Sequence, residues 1–253
     1  MQDGDFIKME YVGRVAATGE IFDLTDEELA RKEGIHNPKQ TYGPVLVIIG
    51  SGMTPKGVEK HLKGMKPGEE REFDLSQEEG FGRREPGLIK IVSLQKFYSQ
   101  KINPIPGEFV QIDGRHARIQ SVSGGRVRVD FNSPLAGKEL HYRIKLVEKV
   151  TGTQDMAQAL LDNYDMKAKA TFKEGSLTIG TKDKVPEQLR NLLNMQFKRW
   201  IPAAKKINYV NLSEKPGKTM DATPDKKAGK ADPDKGTTAG KPIVKAGDKA
   251  SRA

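Results

Sequence analysis

VLVIIGSGMTPKGVEKHLKG, residues 45–64, is the segment of this chain that decides its fold. Its first five residues, 45–49, are continuously apolar, which predicts a central strand that is buried on both faces. Residues 50–52 (GSG) end that strand. Pro55 then opens a short helix that Gly64 closes, because proline is favoured where a helix begins and glycine where it ends. The segment therefore predicts a buried strand, a glycine-rich loop and one short helix in direct succession.

Alternating apolar and polar residues predict further strands on both sides of this segment. These strands are residues 8–15 (KMEYVGRV), 21–23 (IFD), 70–75 (EREFDL, after the turn KPGE) and 140–150 (LHYRIKLVEKV). In the last of them, Tyr142, Ile144 and Leu146 share one face. A short helix should follow the second strand, with Thr25 as its N-cap and Glu28 completing a capping box.

The sequence changes character from residue 84 to about residue 130. Short β-type runs occur at residues 88–92, 109–112, 117–122 and 126–131, and the Ser-Gly-Gly of residues 123–125 predicts a hairpin between the last two. This region holds more apolar residues than a unit of about 45 residues is expected to bury. Two interpretations stay open: these residues form its own core, or some of them form an exposed apolar face that holds unfolded chain.

The remaining sequence predicts a compact α+β unit and a tail. Helical periodicity begins near residue 153 and again from Pro186 to about Trp200, and strands are predicted near residues 168–172, 176–179 and 207–212. No constellation of catalytic residues stands out in residues 151–212. Residues 213–253 are rich in Lys, Gly, Ala, Pro, Asp and Thr, which predicts a disordered tail.

Composition excludes several classes of site. The chain of 253 residues has no cysteine, so disulfides, zinc–thiolate sites and thiol nucleophiles are ruled out, and its four histidines lack the spacing of metal ligands. We expect no metal, no cofactor and no membrane span, and by default a cytoplasmic location. The net charge of +9 is spread through every segment, so a specific nucleic-acid surface is not expected.

Three patterns, taken in order, resemble the FKBP family of peptidyl-prolyl isomerases. They are Tyr11-x-Gly13 followed by Phe22-Asp23, the strand, loop and helix of residues 45–64, and KPGE (residues 66–69) followed by a strand and Phe81-Gly82. The segment FNSPLAGKEL, residues 131–140, resembles the return from an insert-in-flap domain in SlyD-like members. The whole layout resembles the long archaeal members of the family.

The resemblance implies a domain organisation and an activity. A catalytic domain of residues 1–83 and 131–150 would form a twisted antiparallel sheet around the short helix, with an insert-in-flap chaperone domain at residues 84–130. An α+β domain at residues 151–212 and the tail would follow. The implied activity is cis/trans isomerisation of Xaa-Pro bonds in proline-containing or unfolded polypeptides. The resemblance does not give the oligomeric state, and we expect a monomer.

The resemblance also implies the residues of the site. The catalytic residues would be Tyr11, Phe22, Asp23, Phe81 and Tyr142, and the substrate-binding residues Val45, Met53, Thr54, Pro55, Val58 and Leu135. Aromatic residues on alternating strands are more often core residues, and Asp23 could instead serve a turn or cap the next helix, so these alternatives stay open.

Two residues depart from the family pattern. Val58 stands where the family usually has a large aromatic residue or leucine. Pro55 stands where the family uses a backbone N–H for the substrate carbonyl, which proline does not have. These departures leave a holdase chaperone with weak or no isomerase activity as an alternative. A third hypothesis, supported only by charge, is a nucleic-acid-associated adaptor that uses Arg83, Arg84, Arg115, Arg118, Arg126 and Arg128.

Overall fold

The structure is a computed structural model, and it describes residues 1–212. These residues form an α+β fold whose strands lie in three sheets. In chain order the elements are β1 (Phe6–Val15), β2 (Ile21–Leu24), α1 (Glu27–Lys32), β3 (Val45–Ile48), α2 (Lys56–Lys63), β4 (Glu70–Leu75), β5 (Ile89–Ser93), α3 (Leu94–Ser99), β6 (Phe109–Ile112), β7 (Arg115–Ser123), β8 (Arg126–Asp130), β9 (Leu140–Val150), α4 (Thr153–Asn163), β10 (Ala168–Lys173), β11 (Ser176–Thr181), α5 (Glu187–Trp200) and β12 (Lys206–Asn211). The predicted disordered tail lies outside the described residues. Within them, no helix has the length and apolar character needed to cross a membrane.

The first sheet packs against the short helix α2. Its strand order is β2-β1-β9-β4, with β3 paired to β1, and every pair is antiparallel. Val58 and Leu62 of α2 are buried in one cluster with residues of β1 and β9, including Ile7, Ile144 and Leu146. The expected antiparallel sheet around a short helix is therefore confirmed.

The position of β3 corrects one prediction. It is buried on both faces, as expected, but it is not a central strand, because it pairs only with β1. Val47 and Ile49 face the cluster that contains α2, whereas Leu46 and Ile48 belong to a second cluster with residues of α4 and α5. A continuous apolar run indicates that both faces of a strand are covered, but it does not show how many edges of that strand pair with other strands.

The cap of α1 is a second correction. The N-cap is Asp26, whose Oδ1 accepts from the Leu29 backbone N–H at 2.9 Å, so the capping box from Thr25 to Glu28 does not form. The Thr25 Oγ1 instead accepts from the Tyr11 backbone N–H at 2.9 Å. Thr25 therefore ties the start of α1 to β1. Aspartate and threonine both cap helices well, so the sequence alone did not decide between them.

The second sheet is the insert, with order β5-β8-β7-β6. The predicted hairpin between β7 and β8 is present, with Gly124 and Gly125 at positive φ (55° and 74°), as a two-residue hairpin turn requires. Helix α3 was not predicted. It has only six residues, too few for a clear period, yet it places Phe97 fully buried in the core of the insert.

Asp130 is the hub of the junction between the insert and the first sheet. Its side chain is only 3% exposed and forms an ion pair with Arg84, at the point where the chain enters the insert. It also accepts from the Gln120 side chain at 3.2 Å and from the backbone and side-chain N–H groups of Asn132 at 2.9 and 2.7 Å. Asn132 in turn bonds the backbone of Glu85 in both directions. One buried carboxylate therefore fastens the entering chain to the leaving chain.

The third sheet has order β10-β11-β12 and carries α4 and α5 on one face. The β10–β11 pair is an antiparallel hairpin, and α5 crosses over to make β12 parallel to β11. Leu160, Leu161, Leu193 and Phe197 of the two helices are buried in the cluster that also contains Phe6 of β1. The elements that periodicity predicts are all present, and their core is continuous with the back of the first sheet.

Candidate active site

Tyr142 of β9 is the centre of an aromatic group on the inner face of the first sheet. The Tyr11 ring of β1 lies 6.4 Å from it between centroids, and the Phe22 ring of β2 meets it edge-on at 5.7 Å. The Phe73 ring of β4 stacks against it at 6.1 Å. The sheet order places these four strands side by side, so residues far apart in sequence form one aromatic wall.

Two members of this group were missed from the sequence. Phe73 pairs with Tyr142 in register, and the alternation of residues 70–75 could have placed it on the inward face. His61 of α2 stacks on Phe73 with a centroid separation of 3.8 Å. Burial lowers the pKa of His61, and the positive charges of Arg71 and Lys60 lower it further, so its neutral ring is favoured.

The close approach of the Phe22 ring to β1 explains why the Tyr11-x-Gly13 motif has glycine at residue 13. The Phe22 ring lies directly over the Gly13 backbone, and a Cβ atom there would come within 2.4 Å of the Phe22 Cζ atom. No real side chain tolerates that distance. Gly13 therefore lets Phe22 lie flat on β1, in reach of Tyr142.

Asp23 positions Tyr11. The Tyr11 hydroxyl donates to the Asp23 Oδ2 at 2.6 Å, and the Asp23 Oδ1 accepts from the Leu24 backbone N–H at 2.9 Å. Burial raises the pKa of Tyr11, and the negative charge of Asp23 raises it further, so the hydroxyl stays a donor. Asp23 does not cap α1, since Asp26 does.

The Tyr142 hydroxyl is the second donor of the site. Tyr142 is buried, and burial raises its pKa, with a smaller contribution from Asp23. Its hydroxyl makes no hydrogen bond to any of residues 1–212. A protonated hydroxyl without a partner on an apolar wall can donate to a carbonyl that enters the site.

Most of the other predicted residues surround the same core. Val58 and Leu135 are buried in it, and Val45 and Phe81 pack against it partly buried. Met53 is the exception, because it packs against the cluster formed by β3, α4 and α5. Val58 is only 1% exposed, so the place where the family has a larger side chain is filled by the core itself.

Thr54 and Pro55 lie where the loop after β3 leads into α2. Pro55 is the N-cap of α2 and has extended backbone angles (φ −54°, ψ 148°), so it directly precedes the first helical residue, Lys56. The Thr54 side-chain hydroxyl is buried and has no hydrogen-bond partner within residues 1–212. A buried polar group without a partner is costly, so this hydroxyl is a further candidate for binding substrate.

A cleft of about 310 Å³ lies beside the aromatic group, between the first sheet and the insert. Phe22 and Leu135 contribute to one side of it, and Phe109 and Arg118 of the insert to another. Phe22 thus belongs both to the aromatic wall and to the cleft. No group of three or more histidine, aspartate or glutamate side chains that could hold a metal ion occurs in the described residues.

Comparison with known proteins identifies the family. The chain is 34% identical over 146 residues to a short-type peptidyl-prolyl cis-trans isomerase of Methanocaldococcus jannaschii, covering 58% of this chain and 92% of the relative. It is 33% identical over 109 residues to the FKBP-type 16 kDa peptidyl-prolyl cis-trans isomerase of Escherichia coli, covering 42% of this chain and 73% of that relative. The chain belongs to the FKBP-type peptidyl-prolyl isomerase family.

The insert of this FKBP-type chain has its own family match. Residues 90–135 match the family model described as the FKBP26 IF domain. A further relative, the FKBP-type isomerase SlyD of Helicobacter pylori, is 32% identical over 107 residues, which is 41% of this chain and 58% of that protein. The chain is therefore an FKBP-type protein with an insert-in-flap domain, as its sequence predicts.

Proposed function

We propose that this FKBP-type chain catalyses cis/trans isomerisation of peptide bonds before proline, and that its insert binds unfolded polypeptide. The observation that carries the first part is the buried aromatic wall around Tyr142, whose polar groups are a few hydroxyls and the single carboxylate of Asp23. Relatives that share this part of the chain are named peptidyl-prolyl isomerases, and such enzymes act on proline-containing polypeptides.

The reaction suits this composition. Rotation about an Xaa-Pro bond breaks no covalent bond, and its barrier of about 18–20 kcal/mol is the loss of amide resonance. An apolar surface disfavours the charge-separated planar amide relative to the twisted one, and donors fix the flanking carbonyls. No nucleophile or acid–base pair is needed.

We assign roles to the residues on this basis. Phe22, Phe81 and Tyr142 would hold the prolyl ring, and Asp23 would fix Tyr11 at the wall. The Tyr142 hydroxyl would donate to a substrate carbonyl. Substrate-binding residues would be Val45, Thr54, Pro55, Val58 and Leu135.

The chaperone part of the proposal rests on the open face of the insert. Ile91 and Phe109 lie on this face and are 71% and 52% exposed, and Tyr98 and Ile105 are exposed elsewhere on the insert. Exposed apolar side chains of this size favour binding of extended apolar segments. Phe109 also borders the cleft that Phe22 borders, so a chain held on the insert would lie next to the catalytic wall.

We further propose action in the cytoplasm as a monomer. The chain has no cysteine, which fits a compartment where disulfides do not form. Cell fractionation and light scattering of the purified protein test these two points.

The direct test of isomerase activity compares Gly13→Ala with Gly87→Ala. A Cβ at Gly13 must displace the Phe22 ring, whereas a Cβ at Gly87 meets no atom within 4 Å. Misplacing one wall of a catalytic site by about 1 Å costs as much as 100-fold in rate, so we expect Gly13→Ala to lower kcat/KM about tenfold or more. Exchange of a proline tetrapeptide, followed by NMR, measures the effect.

In this test wild type must accelerate exchange, and Gly87→Ala should match it. Absence of acceleration by the wild-type protein would refute the proposed activity. Equal rates for wild type and Gly13→Ala, with the Gly13→Ala protein folded by circular dichroism, would show that Phe22 is not part of the catalytic wall.

Pro55→Ile tests the missing backbone donor. Isoleucine restores an N–H at the start of α2, and a hydrogen bond contributes about 0.5–1.5 kcal/mol, so kcat/KM should rise about two- to tenfold. Stability should fall slightly, because the fixed φ of proline suits the N-cap angle of −54°. Peptide kinetics and thermal unfolding of the same variant measure both effects. Kinetics equal to wild type would mean that the carbonyl is held by another group, such as the Thr54 hydroxyl.

A further inference from the structure

Within residues 1–212, no helix covers one face of the third sheet, and lysine and small polar residues dominate this open face. Helices α4 and α5 cover the face that carries Ala170, Ile179 and Tyr209. By strand alternation and register, the opposite face carries Lys169, Thr171 and Lys173 of β10, Ser176, Thr178 and Gly180 of β11, and Lys206, Asn208 and Val210 of β12. The Asn208 side chain donates to the Ser176 Oγ at 3.0 Å, which shows that these side chains share one surface.

The three lysines of this open face have no partners. Lys169, Lys173 and Lys206 are exposed, and the side-chain ammonium group of none of them forms an ion pair or hydrogen bond with another of residues 1–212. Elsewhere, exposed lysines such as Lys8 and Lys63 are paired with carboxylates at 2.9 and 2.7 Å. The open face therefore carries a concentrated, uncompensated positive charge.

Among the residues that the structure describes, no acidic residue occupies a strand position on the open face. The acidic residues of this unit lie on helices, in turns or beyond strand ends: Asp155, Asp162, Asp165, Glu174, Asp183 and Glu187. The neutral residues among the lysines are mostly hydroxyl and amide side chains. Such groups, together with lysine, are the ones that proteins use to contact phosphate oxygens.

We propose that the open face binds single-stranded nucleic acid through its phosphate backbone, without regard to base sequence. Charge complementarity carries the proposal: lysines about 10 Å apart across the strands and about 14 Å apart along β10 can reach two or three phosphates of one strand. The strand positions of this face, as far as the structure describes the chain, carry no aromatic side chain for base stacking, so contacts to bases are not expected. A membrane surface is disfavoured, because the large apolar residues on this face within residues 1–212 are only Val210, which is half-buried, and Leu212, which lies over Gly180 at one end of the sheet.

This surface differs from the arginines that charge in the sequence suggests. Arg83 and Arg84 are paired with Glu78 and Asp130, and Arg115 and Arg118 lie over the rings of Phe131 and Phe109. Arg126 and Arg128 are exposed and form no ion pair within residues 1–212, but they lie on the open face of the insert, which also carries the exposed Ile91 and Phe109. The lysines of the third sheet are a separate group of unpaired cations, on a surface where polar side chains surround them. The sequence does not predict them as a group, because they come from two strands 33 residues apart at their nearest members.

The experiment measures binding of fluorescent oligo(U) RNA to the full chain by anisotropy, over a range of salt concentrations. The test variant is Lys169→Gln/Lys173→Gln/Lys206→Gln. The matched control is Lys32→Gln/Lys39→Gln/Lys66→Gln, which removes the same charge from exposed positions of the first unit. Because both variants lose equal charge, all other lysines of the chain contribute equally to both. A third variant with arginine at the three test positions keeps the charge.

Wild type, the control and the arginine variant should bind alike, and the test variant should bind at least about tenfold more weakly at 50 mM salt. The slope of log Kobs against log salt should fall by about 2, since each phosphate contact on a single strand contributes about 0.7. Oligo(C) should bind like oligo(U), and prolyl-peptide activity should not change.

Three results would overturn the proposal. The first is no binding by wild type at low salt, and the second is equal binding by the test and control variants. The third is competition by poly-glutamate as strong as that by RNA of equal charge, which would indicate an acidic protein segment as the partner.

Discussion

Removing the insert is expected to reduce catalysis of proline-limited refolding by about 100-fold while changing activity on a tetrapeptide by less than about threefold. The insert would raise the local concentration of unfolded chain at the catalytic wall, an effect worth about 10² or more, and a tetrapeptide does not need it. The variant replaces residues 84–130 by a short glycine–serine loop. It also carries Phe131→Ser, because Phe131 packs on the core of the insert.

The rest of the molecule should stay folded in this variant. The hydrophobic clusters around α2 and around α4 and α5 contain no residue of the insert. The two chain ends that the deletion leaves are close together, since Glu85 and Asn132 are hydrogen-bonded to one another. A matched full-length variant, Ile91→Ser/Phe109→Ser, removes exposed apolar side chains but keeps the insert. It should also lose refolding activity in preference to peptide activity. Equal losses on both substrates, in either variant, would contradict the proposed division of labour.

Asp130→Ala is expected to destabilise the insert and its junction by about 2–3 kcal/mol. Breaking a buried ion pair costs about 3–5 kcal/mol. Because the Arg84 side chain is 48% exposed and water can solvate it, we expect a cost below that range. The substitution also removes the acceptor of the Gln120 side chain and the Asn132 backbone N–H. Hydrogen exchange of insert amides measures the effect unit by unit, which matters because a chain of several units need not unfold in one step.

Glu108→Ala is the control for Asp130→Ala. It removes an exposed acidic side chain of the same unit that has no ion-pair partner among residues 1–212, so its effect should stay within about 0.5 kcal/mol. Asp130→Asn keeps an acceptor and should fall between the two. If the insert amides of the Asp130→Ala protein are as protected from hydrogen exchange as those of the Glu108→Ala protein, the Asp130 carboxylate does not stabilise the junction.

Local patterns gave most of the elements of the fold. Strand alternation placed Tyr142, Ile144 and Leu146 on one buried face, and the Ser-Gly-Gly turn placed a hairpin, because both depend on residues adjacent in sequence. The predicted apolar and aromatic site residues share one core except for Met53, which lies against the third unit. Helix α3 and the Asp26 cap were missed because six residues give no period and neighbouring polar residues can each cap a helix.

The sequence by itself determined the family, the order of the elements except α3, and two of the aromatic residues near Tyr142, Tyr11 and Phe22. Only the tertiary structure decided which elements cover β3, that Phe73 and His61 join the aromatic group, and that Asp130 closes the junction of the insert. It also decided that Lys169, Lys173 and Lys206 share one open face. The physical reason is that periodicity fixes which residues of one strand point the same way, whereas register and packing between distant segments fix what those residues meet.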